Sequence, residues 1–417
     1  MRLSSRIDIK PFFKKHKIKF LTLGILISIA LIIFAAFSIG KSYENGKIKK
    51  LLKLKSEKVL IDKKYFEIDD VMNILGYRKR KNEVYTGKID GQDVTVFWDF
   101  HNKVCRKNSY KYDISGEFLE KNGVKYVNAK ALKKAFFLDF SYKNGNITYK
   151  ECKLDKWYKN NPLVAHAGGA VREKSVTSCY TNSRDAFVQN YNLGHRVFEF
   201  DIYPTADNQM ALIHDWDKFG MKNGQAFSTT EWKNFRGTSK PDYGHTFTTM
   251  MLSDILDQML INKDMYLITD TKSTDFTMDE AKIQFQELYN EAMKRDPELL
   301  DRIIPQIYNE DMYSMVMSVY KFKSIIYTTY ATKDSAKKII IFSAKHNNIQ
   351  VITVKYKDKR FGLKEINMLH FAGKLLYNHT IDTYKKYTNA RALGADGAYT
   401  NVLTPEDGAV YDNLTSR

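Results

Sequence analysis

The C-terminal part of the chain, residues 161–417, alternates short apolar runs with longer stretches whose apolar residues recur at helical spacing. The helix-like stretches include SRDAFVQNYNLG, LSDILDQMLI, MDEAKIQFQELYNEAMKR and NEDMYSMVMSVYKF. The candidate strands number eight: LVAH (163–166), VFEFDIY (197–203), MYLITD (265–270), IIPQIY (303–308), SIIYTT (324–329), IQVITV (349–354), KLLYNHT (374–380) and DGAYT (396–400). Strands that alternate with helices build parallel sheets, so this pattern predicts an α/β fold, a (β/α)8 TIM barrel over 161–417.

Several of the predicted strands end in a polar side chain. In (β/α)8 barrels the C-terminal ends of the strands meet at one mouth, where the working groups lie. Side chains that are far apart in the sequence are therefore expected to converge in space. The set comprises His166, Glu199 with Asp201, Asp270 with Lys272 just beyond it, Gln306 and His379.

The segment RVFEFDIYPTADNQMALIHDW (196–216) places two carboxylates on one predicted strand. Glu199 and Asp201 are two residues apart, so their side chains point to the same face of the strand. Like charges at that spacing repel each other, which indicates that a cation lies between them. The run MALIHD (210–215) is predicted to pair with this strand as a hairpin through TADNQ, which would return His214 to the same mouth.

Three carboxylates at one mouth predict a metal site. Glu199, Asp201 and Asp270 would supply hard oxygen ligands, which suit one divalent cation, Ca²⁺ or Mg²⁺, better than zinc. Lys272 would add a point charge that can hold a phosphate oxygen. A hard cation beside a lysine can neutralise the charge that develops on a phosphate during cleavage.

Two histidines are predicted to complete the site. His166 and His214 can move protons near neutral pH. One of them would remove a proton from the nucleophile, and the other would protonate the leaving oxygen. Together with the cation and the lysine they indicate phosphodiester cleavage.

The motifs resemble those of the glycerophosphodiester phosphodiesterases, relatives of phosphatidylinositol-specific phospholipase C. They are HAGG (166–169), TNSRDAF (181–187), EFDIYPTADNQMALIHD (199–215), DTK (270–272), PQIY (305–308), NHTID (378–382) and GADGAYTN (394–401). The resemblance spans 161–417 and implies a (β/α)8 barrel, hydrolase activity and a role in lipid metabolism. By position it implies that a divalent cation is held by Glu199, Asp201 and Asp270, that His166 and His214 are acid and base, and that Lys272 is the family's later lysine.

The sequence departs from the family pattern at four places. The usual His-Arg-Gly is His166-Ala167-Gly168, so a phosphate-binding arginine is missing. The usual Glu-Asn-Thr is TNS (181–183), the usual carboxylate of Glu-x-Lys is Asp270, and the usual Thr-Asp is TN (400–401). These changes bear on the choice of substrate more than on the type of reaction.

The N-terminal part contains a candidate membrane anchor. After a basic tail (1–19), residues 20–40 form an uncharged apolar run long enough, at 1.5 Å per residue, to span a bilayer. We interpret it as one transmembrane helix; a signal peptide cleaved near Ala36 and Ser38 is the alternative. Basic residues flank the run on both sides, and we favour a cytoplasmic N-terminus with the rest of the chain outside the cell.

The net charge of +18 lies before the barrel. Residues 160–417 carry 31 Lys and Arg against 31 Asp and Glu, whereas the first 159 residues carry 35 against 17. A neutral barrel argues against a nucleic-acid enzyme, which would carry its basic face on the working domain. A basic linker (41–60) next to the membrane suits anionic lipids or teichoic acids, although a solvated basic stalk is an equal interpretation.

A weak internal repeat lies between linker and barrel. KYFEIDDVMNILGYRKRKNEVY (64–85) and KYVNAKALKKAFFLDFSYKNGNITY (125–149) each predict a strand, a helix and a hairpin. The pattern resembles the small α+β stalk domain at the N-terminus of copper amine oxidases, which implies an adhesion or spacer domain over 61–152 and nothing about copper. The scattered Cys105, Cys152 and Cys179 predict neither a zinc site nor a disulfide framework, and one bridge between Cys105 and Cys152 stays open.

The sequence thus favours a phosphodiesterase of the bacterial cell surface, single-pass in the cell membrane, acting on glycerophosphodiesters of lipid headgroups, lysophospholipids or wall polymers. One alternative is a metal-independent lyase similar to phospholipase C. The other is a surface-binding protein whose barrel has lost catalysis. Neither a nucleic-acid partner nor a second cofactor is expected.

Overall fold

The computed structural model describes residues 59–60, 64–143, 146–154, 156–173, 176–217, 225–236 and 246–409. The predicted tail, transmembrane helix and most of the predicted linker lie outside these residues. Within the described ranges, no helix combines the length and the apolar character needed to cross a bilayer. The described chain divides into two compact units, one formed by Val59–Leu138 together with residues 152–409, the other by Asp139–Glu151. The domain limits given above stay predictions.

Residues 59–138 form a small α+β segment. Its elements are β1 (Val59–Leu60), β2 (Tyr65–Glu67), α1 (Ile68–Ile74), β3 (Arg78–Lys81), β4 (Val84–Ile89), β5 (Gln92–Asp99), β6 (Val104–Lys107), β7 (Tyr110–Asp113), β8 (Phe118–Lys121), β9 (Val124–Asn128) and α2 (Ala129–Phe136). The strands make two antiparallel sheets, in the orders β1-β2-β9-β8 and β3-β4-β5-β6-β7. The hairpin of β10 (Leu138–Lys143) and β11 (Asn146–Glu151) follows.

The predicted repeat of strand, helix and hairpin is confirmed at both places. The first copy is β2, α1, β3 and β4, and the second is β9, α2, β10 and β11. The first strands of the two copies pair with each other, so that Phe66 lies opposite Val127 and both side chains are buried. The three cysteines are free thiols, which rules out the bridge between Cys105 and Cys152 in this structure.

The rest of the chain contains eleven described strands and eight α-helices. The strands are β12 (Leu163–Ala165), β13 (Val171–Glu173), β14 (Val176–Ser178), β15 (Val197–Pro204), β16 (Met210–Leu212), β17 (Tyr266–Asp270), β18 (Ile303–Ile307), β19 (Ile325–Thr328), β20 (Ile349–Lys355), β21 (Leu375–His379) and β22 (Gly397–Thr400). The helices are α3 (Arg184–Asn192), α4 (Thr229–Asn234), α5 (Leu252–Ile261), α6 (Met278–Arg295), α7 (Glu310–Val319), α8 (Ala336–Lys345), α9 (Leu363–Phe371) and α10 (Tyr384–Ala392).

The predicted eight-stranded barrel is confirmed. The parallel strands follow the order β12-β15-β17-β18-β19-β20-β21-β22, and β22 pairs with β12 to close the ring. The extra strand β16 pairs antiparallel with the end of β15, as predicted for MALIHD. Local signals set the helix starts; at α6, the Thr277 side chain accepts from the Glu280 amide while the Glu280 carboxylate accepts from Thr277.

One apolar side chain from each barrel strand packs into a common interior layer. Its members are Val164, Val197, Ile268, Ile304, Ile326, Val351, Tyr377 and Tyr399, joined by Trp157 and Tyr266. The layer fills the barrel, as expected for an eight-stranded ring whose interior just accommodates side chains. It forms the floor beneath the C-terminal ends of the strands.

The small α+β segment packs against two helices of the barrel. The Tyr110 hydroxyl donates to Gln258 at 2.5 Å, and the Tyr112 hydroxyl donates to Asn262 at 3.1 Å. The buried Lys107 ammonium donates to the carbonyl of Ala135, in α2, at 2.7 Å and to the carbonyl of Ile261, at the end of α5, at 3.0 Å. The ring of Tyr110 also packs edge-on against Tyr191 of α3, with the ring centroids 4.9 Å apart. Hydrogen bonds and aromatic rings thus hold the segment and the barrel in one unit.

Candidate active site

A ring of polar side chains lies directly above the apolar layer. Each member stands two residues beyond a member of the layer, so both face the inside of the barrel. The ring consists of His166, Glu199, Asp270, Gln306, Thr328, Thr353, His379 and Asn401. The strand-end residues that the sequence analysis expected to converge therefore do so, and Asp201, two residues beyond Glu199, joins them.

The three predicted metal ligands form one buried cluster. One oxygen each of Glu199, Asp201 and Asp270 lie within 4.8 Å of one another. The three residues are only 1%, 1% and 4% exposed. Three buried carboxylates at this spacing repel each other unless positive charge is present, and their hard oxygen donors fit one divalent cation.

Lys272 supplies positive charge to this cluster. Its ammonium lies 2.5 Å from Asp201 Oδ1 and 2.6 Å from Asp270 Oδ2. Burial by itself lowers the pKa of Lys272, but the two carboxylates outweigh that effect and raise it, so the side chain is charged. Burial by itself raises the pKa of Asp201. The Lys272 ammonium and the two histidines outweigh that effect, so the pKa of Asp201 is lowered and the carboxylate is ionised.

Glu199 has a different environment from its two neighbours. Its Oε2 accepts a hydrogen bond from the Ala167 amide at 2.8 Å and lies 3.8 Å from His166 Nε2. Burial and the nearby Asp201 carboxylate raise its pKa well above the ordinary value. A cation placed between the carboxylates would act against this shift, since positive charge favours the ionised form.

Several neutral side chains orient the carboxylates. Asn182 donates from Nδ2 to Asp201 Oδ2 at 2.9 Å and accepts from the Asp201 amide at 3.0 Å. The Tyr330 hydroxyl donates to Asp270 Oδ2 at 3.0 Å, and the Tyr308 hydroxyl donates to Asp270 Oδ1. Burial and the Asp270 charge raise the pKa of both tyrosines, so they act as donors.

His166 is fixed by hydrogen bonds that run through Asn401 to Asp382. Its Nδ1 lies 3.0 Å from Asn401 Oδ1, while Asn401 Nδ2 donates to Asp382 Oδ2 and the Asn401 amide donates to Asp382 Oδ1, each at 2.7 Å. A carboxylate only accepts, so Asn401 turns its NH2 group to Asp382 and its oxygen to His166. Nδ1 of His166 therefore carries the proton, and the lone pair is on Nε2. Burial lowers the pKa of His166, which favours the neutral ring.

His214 reaches the mouth through the hairpin, as the sequence indicated. The Ile213 amide donates to the Asp201 carbonyl at 3.0 Å, which holds the end of the hairpin beside the carboxylates. His214 Nδ1 donates to Asp215 Oδ2 at 2.5 Å. The ring of Tyr180 lies between the two histidines, with its centroid 4.7 Å from that of His166 and 6.3 Å from that of His214.

The structure thus brings all six predicted site residues together; the roles assigned to them stay predictions. Sequence reasoning missed Tyr180, Tyr308 and Tyr330. Tyr308 closes the motif PQIY, which could have suggested it, whereas Tyr330 follows a strand in a segment without a motif. Asn182 keeps the asparagine of the usual Glu-Asn-Thr, and its role as a partner of Asp201 was not predicted. Asn401 was noted only as a departure from the family pattern, and its hydrogen bond to His166 explains how an amide serves at that place.

Comparison with solved structures finds glycerophosphodiester phosphodiesterases. One from Parabacteroides distasonis is 19% identical, with 61% of this chain and 98% of that chain covered and a TM-score of 0.49. A phosphodiesterase from Oleispira antarctica, solved with the product sn-glycerol-3-phosphate, is 12% identical with 62% and 100% covered and a TM-score of 0.47. The enzyme from Thermotoga maritima is 14% identical with 62% and 98% covered and a TM-score of 0.42. At these scores the similarity does not by itself identify an activity.

No protein-family model matches the sequence. No curated protein matches it either.

Proposed function

We propose that this chain is a metal-dependent phosphodiesterase that hydrolyses glycerophosphodiester bonds. The observation that carries the proposal is the convergence of three buried carboxylates, a charged lysine and two histidines at one mouth. The sequence motifs of residues 161–417 occur in the same order as in the glycerophosphodiester phosphodiesterases, which supports the same reaction. Candidate substrates are diesters of lipid headgroups, lysophospholipids or wall polymers.

The metal site in this proposal consists of Glu199, Asp201 and Asp270. Their hard oxygen donors fit Ca²⁺ or Mg²⁺. When bound, such a cation supplies positive charge to the phosphate oxygens on which negative charge develops. Lys272 contributes its ammonium to the same phosphate, and the surrounding tyrosine and asparagine side chains hold the carboxylates in place.

The hydrogen bonds of the two histidines support different roles for them. His166 presents the lone pair of Nε2, so we assign it the removal of a proton from the nucleophile. His214 donates from Nδ1 to Asp215, and that carboxylate can also accept from the ring when both nitrogens are protonated. We therefore assign His214 the donation of a proton from Nε2 to the leaving oxygen.

We further propose that residues 20–40 anchor the enzyme in the cell membrane and that the barrel works outside the cell. The support is the length and apolar character of this run in the sequence. Residues 61–152 would then form an extracellular stalk domain similar to that of copper amine oxidases. The basic residues around the anchor would contact anionic lipids or teichoic acids.

A second candidate function is a metal-independent lyase. It is favoured by the position of Lys272, whose ammonium bridges Asp201 and Asp270 and so already brings positive charge to the place of the cation. In that case the lysine alone would neutralise the phosphate. Chelation distinguishes the two functions, because only the first depends on a divalent ion.

The deciding experiment incubates the purified chain with glycerophosphocholine, a lysophospholipid and teichoic-acid fragments, with Ca²⁺, Mg²⁺ or a chelator. We expect release of an alcohol and a phosphomonoester with one of the ions and none with the chelator. Full activity with the chelator would favour the lyase. No product from any substrate under any condition would contradict both functions.

A further inference from the structure

Two buried polar atoms at the mouth have no hydrogen-bond partner among the described residues. They are Thr353 Oγ1 and His379 Nε2. Thr353 is 1% exposed, and the ring of His379 packs edge-on against that of Tyr330, 5.7 Å away. Buried polar groups nearly always have a partner in the protein or in solvent, so these two atoms can each bond a polar group that enters the mouth.

Both side chains face the inside of the barrel. Val351 and Tyr377 belong to the apolar layer, and Thr353 and His379 stand two residues beyond them on β20 and β21. Thr353 pairs with Tyr377 across the two strands, which makes Thr353 and His379 diagonal neighbours. In the closed ring, β20 and β21 lie opposite β15 and β17, which carry the carboxylates.

The two sides of the mouth therefore differ in chemistry. The β15–β17 side is ionic, with three carboxylates and Lys272. On the β20–β21 side, Thr353 is uncharged, and burial together with the nearby His166 lowers the pKa of His379 to about 4. Neutral donors and acceptors match a neutral hydroxyl group better than a phosphate, which carries charge.

We propose that Thr353 and His379 form a subsite that binds a hydroxyl group of the polyol part of the substrate, such as glycerol, while the phosphate lies at the ionic side. This assignment rests on the proposed function, since it requires a phosphodiester in the mouth. It makes these two residues determinants of specificity rather than of the reaction itself.

The test compares two diesters that release the same choline. Glycerophosphocholine has two free hydroxyl groups, and propylphosphocholine has none. Wild-type chain should show a higher kcat/KM for the glycerol diester. Thr353→Val and His379→Leu should each lower the ratio of kcat/KM for the glycerol diester to that for propylphosphocholine on the order of 10-fold, the size of one or two neutral hydrogen bonds.

Thr329→Val is the matched control. Thr329 Oγ1 is also buried and unpartnered, but the residue follows the inward-facing Thr328, so its side chain is expected to point away from the mouth. The same loss of a buried hydroxyl there should leave the ratio of the two kcat/KM values as in wild type. Thr353→Val preserves shape, so it reports on the subsite even where His379→Leu fails to fold.

Equal wild-type kcat/KM for the two diesters, or an equal loss on both in Thr353→Val, would overturn the subsite and leave the phosphodiesterase function intact. If wild type cleaves neither diester, nor the lysophospholipid and the teichoic-acid fragments, the proposed function fails instead. The subsite is then decided by calorimetric titration with glycerol 3-phosphate and propyl phosphate. Tighter binding of the first, lost in Thr353→Val, supports it, and equal affinities refute it.

Discussion

At the scale of single residues, the donor and acceptor of each hydrogen bond define the site. Asp201 has one oxygen on the Lys272 ammonium and the other on the Asn182 amide, which leaves it rigid and ionised. His166 owes its tautomer to Asn401 rather than to a carboxylate. Substitutions that keep the shape of a side chain and change one donor or acceptor are therefore the sharpest probes.

Asp201→Asn removes one negative ligand without changing its size. We expect divalent-ion affinity to fall by roughly 10–100-fold or more, since loss of an outer-shell partner alone has that effect, and turnover to fall with it. Calorimetric titration with Ca²⁺ and Mg²⁺ measures the affinity, and a thermal melt checks the fold. Asp301→Asn, at a surface ion pair with Lys323, is the control. Unchanged ion affinity in Asp201→Asn would remove this residue from the metal site.

His166→Ala and His214→Ala should each lose about 10²–10⁴-fold in kcat, the usual contribution of general acid–base catalysis. A nitrophenyl diester does not need its leaving oxygen protonated. It should therefore largely restore the activity of His214→Ala, the proposed acid, and not that of His166→Ala. His370→Ala, on the outer helix α9, is the control. The reverse pattern of rescue would exchange the two roles, and full activity of either variant on the natural diester would exclude that histidine.

The hydrogen-bond chain from Asp382 through Asn401 to His166 makes a prediction about tautomers. Asp382→Asn offers Asn401 a donor, which allows the Asn401 amide to turn and puts the proton of His166 on Nε2. We expect kcat to fall about 100-fold with little change in KM. Combining Asp382→Asn with Asn401→Asp restores a carboxylate beside Nδ1 and should recover most of the loss. Nitrogen NMR of the imidazole reports the tautomer directly; an unchanged spectrum in Asp382→Asn contradicts this account.

At the scale of elements, every second residue of a strand faces the inside of the barrel. The polar ring of the mouth therefore lies directly above the apolar layer, two residues further along each strand. The same step places the subsite residues of β20 and β21 opposite the carboxylates of β15 and β17. Helix ends matter as well. Lys107 on β6 meets the carbonyl of Ile261 at the end of α5 and that of Ala135 in α2, where helix dipoles favour a cation.

Lys107 should make the stability of the protein depend on alkaline pH. Burial lowers its pKa to about 8, whereas an unfolded lysine has about 10.4. Between these values unfolding takes up a proton, so this residue's contribution to the free energy of unfolding rises with pH by up to about 3 kcal/mol. Urea titrations at pH 7, 8, 9 and 10 should show the rise in wild type, absent from Lys107→Met. Lys111→Met, an exposed lysine on β7, should keep it; identical slopes in all three would refute the assignment.

At the scale of the whole molecule, the small α+β segment and the barrel belong to one compact unit. Tyr110 and Tyr112 bring their hydroxyl groups onto Gln258 and Asn262, and both rings pack against Tyr191 of α3. Residues 59–138 of the proposed stalk would therefore be attached rigidly to the barrel and not by a free tether. The membrane anchor proposed for residues 20–40 would then set the side of the membrane for both.

The orientation of the chain in the membrane can be tested on intact cells. With the N-terminus inside, proteinase K added from outside should remove a C-terminal epitope tag, and the N-terminal tail should stay in the membrane fraction. An N-terminal tag is the internal control, since it should survive unless the cells are lysed. Complete protection of the C-terminal tag, while other surface proteins are digested, would reverse the orientation.

Local sequence patterns predict much of this architecture. The short continuous apolar runs and the helical stretches between them predict eight strands and their helices, and these close into the expected barrel. The two-residue spacing of Glu199 and Asp201 determines that they share a face. Local periodicity and spacing suffice here, because the backbone geometry of a strand or helix depends on near neighbours.

Only the tertiary structure decided which side chains become hydrogen-bond partners and which strands lie opposite each other. Asn401 lies 235 residues from His166, Tyr330 lies 60 residues from Asp270, and neither pair has a spacing that a sequence pattern reports. The opposition of β20 and β21 to β15 and β17 exists only once β22 pairs with β12. The docking of Lys107 on α5 likewise joins residues 154 apart. A hydrogen bond joins atoms about 3 Å apart in space, whereas a sequence pattern specifies only the local path of the chain. The donors and acceptors of this site therefore meet only when the barrel closes.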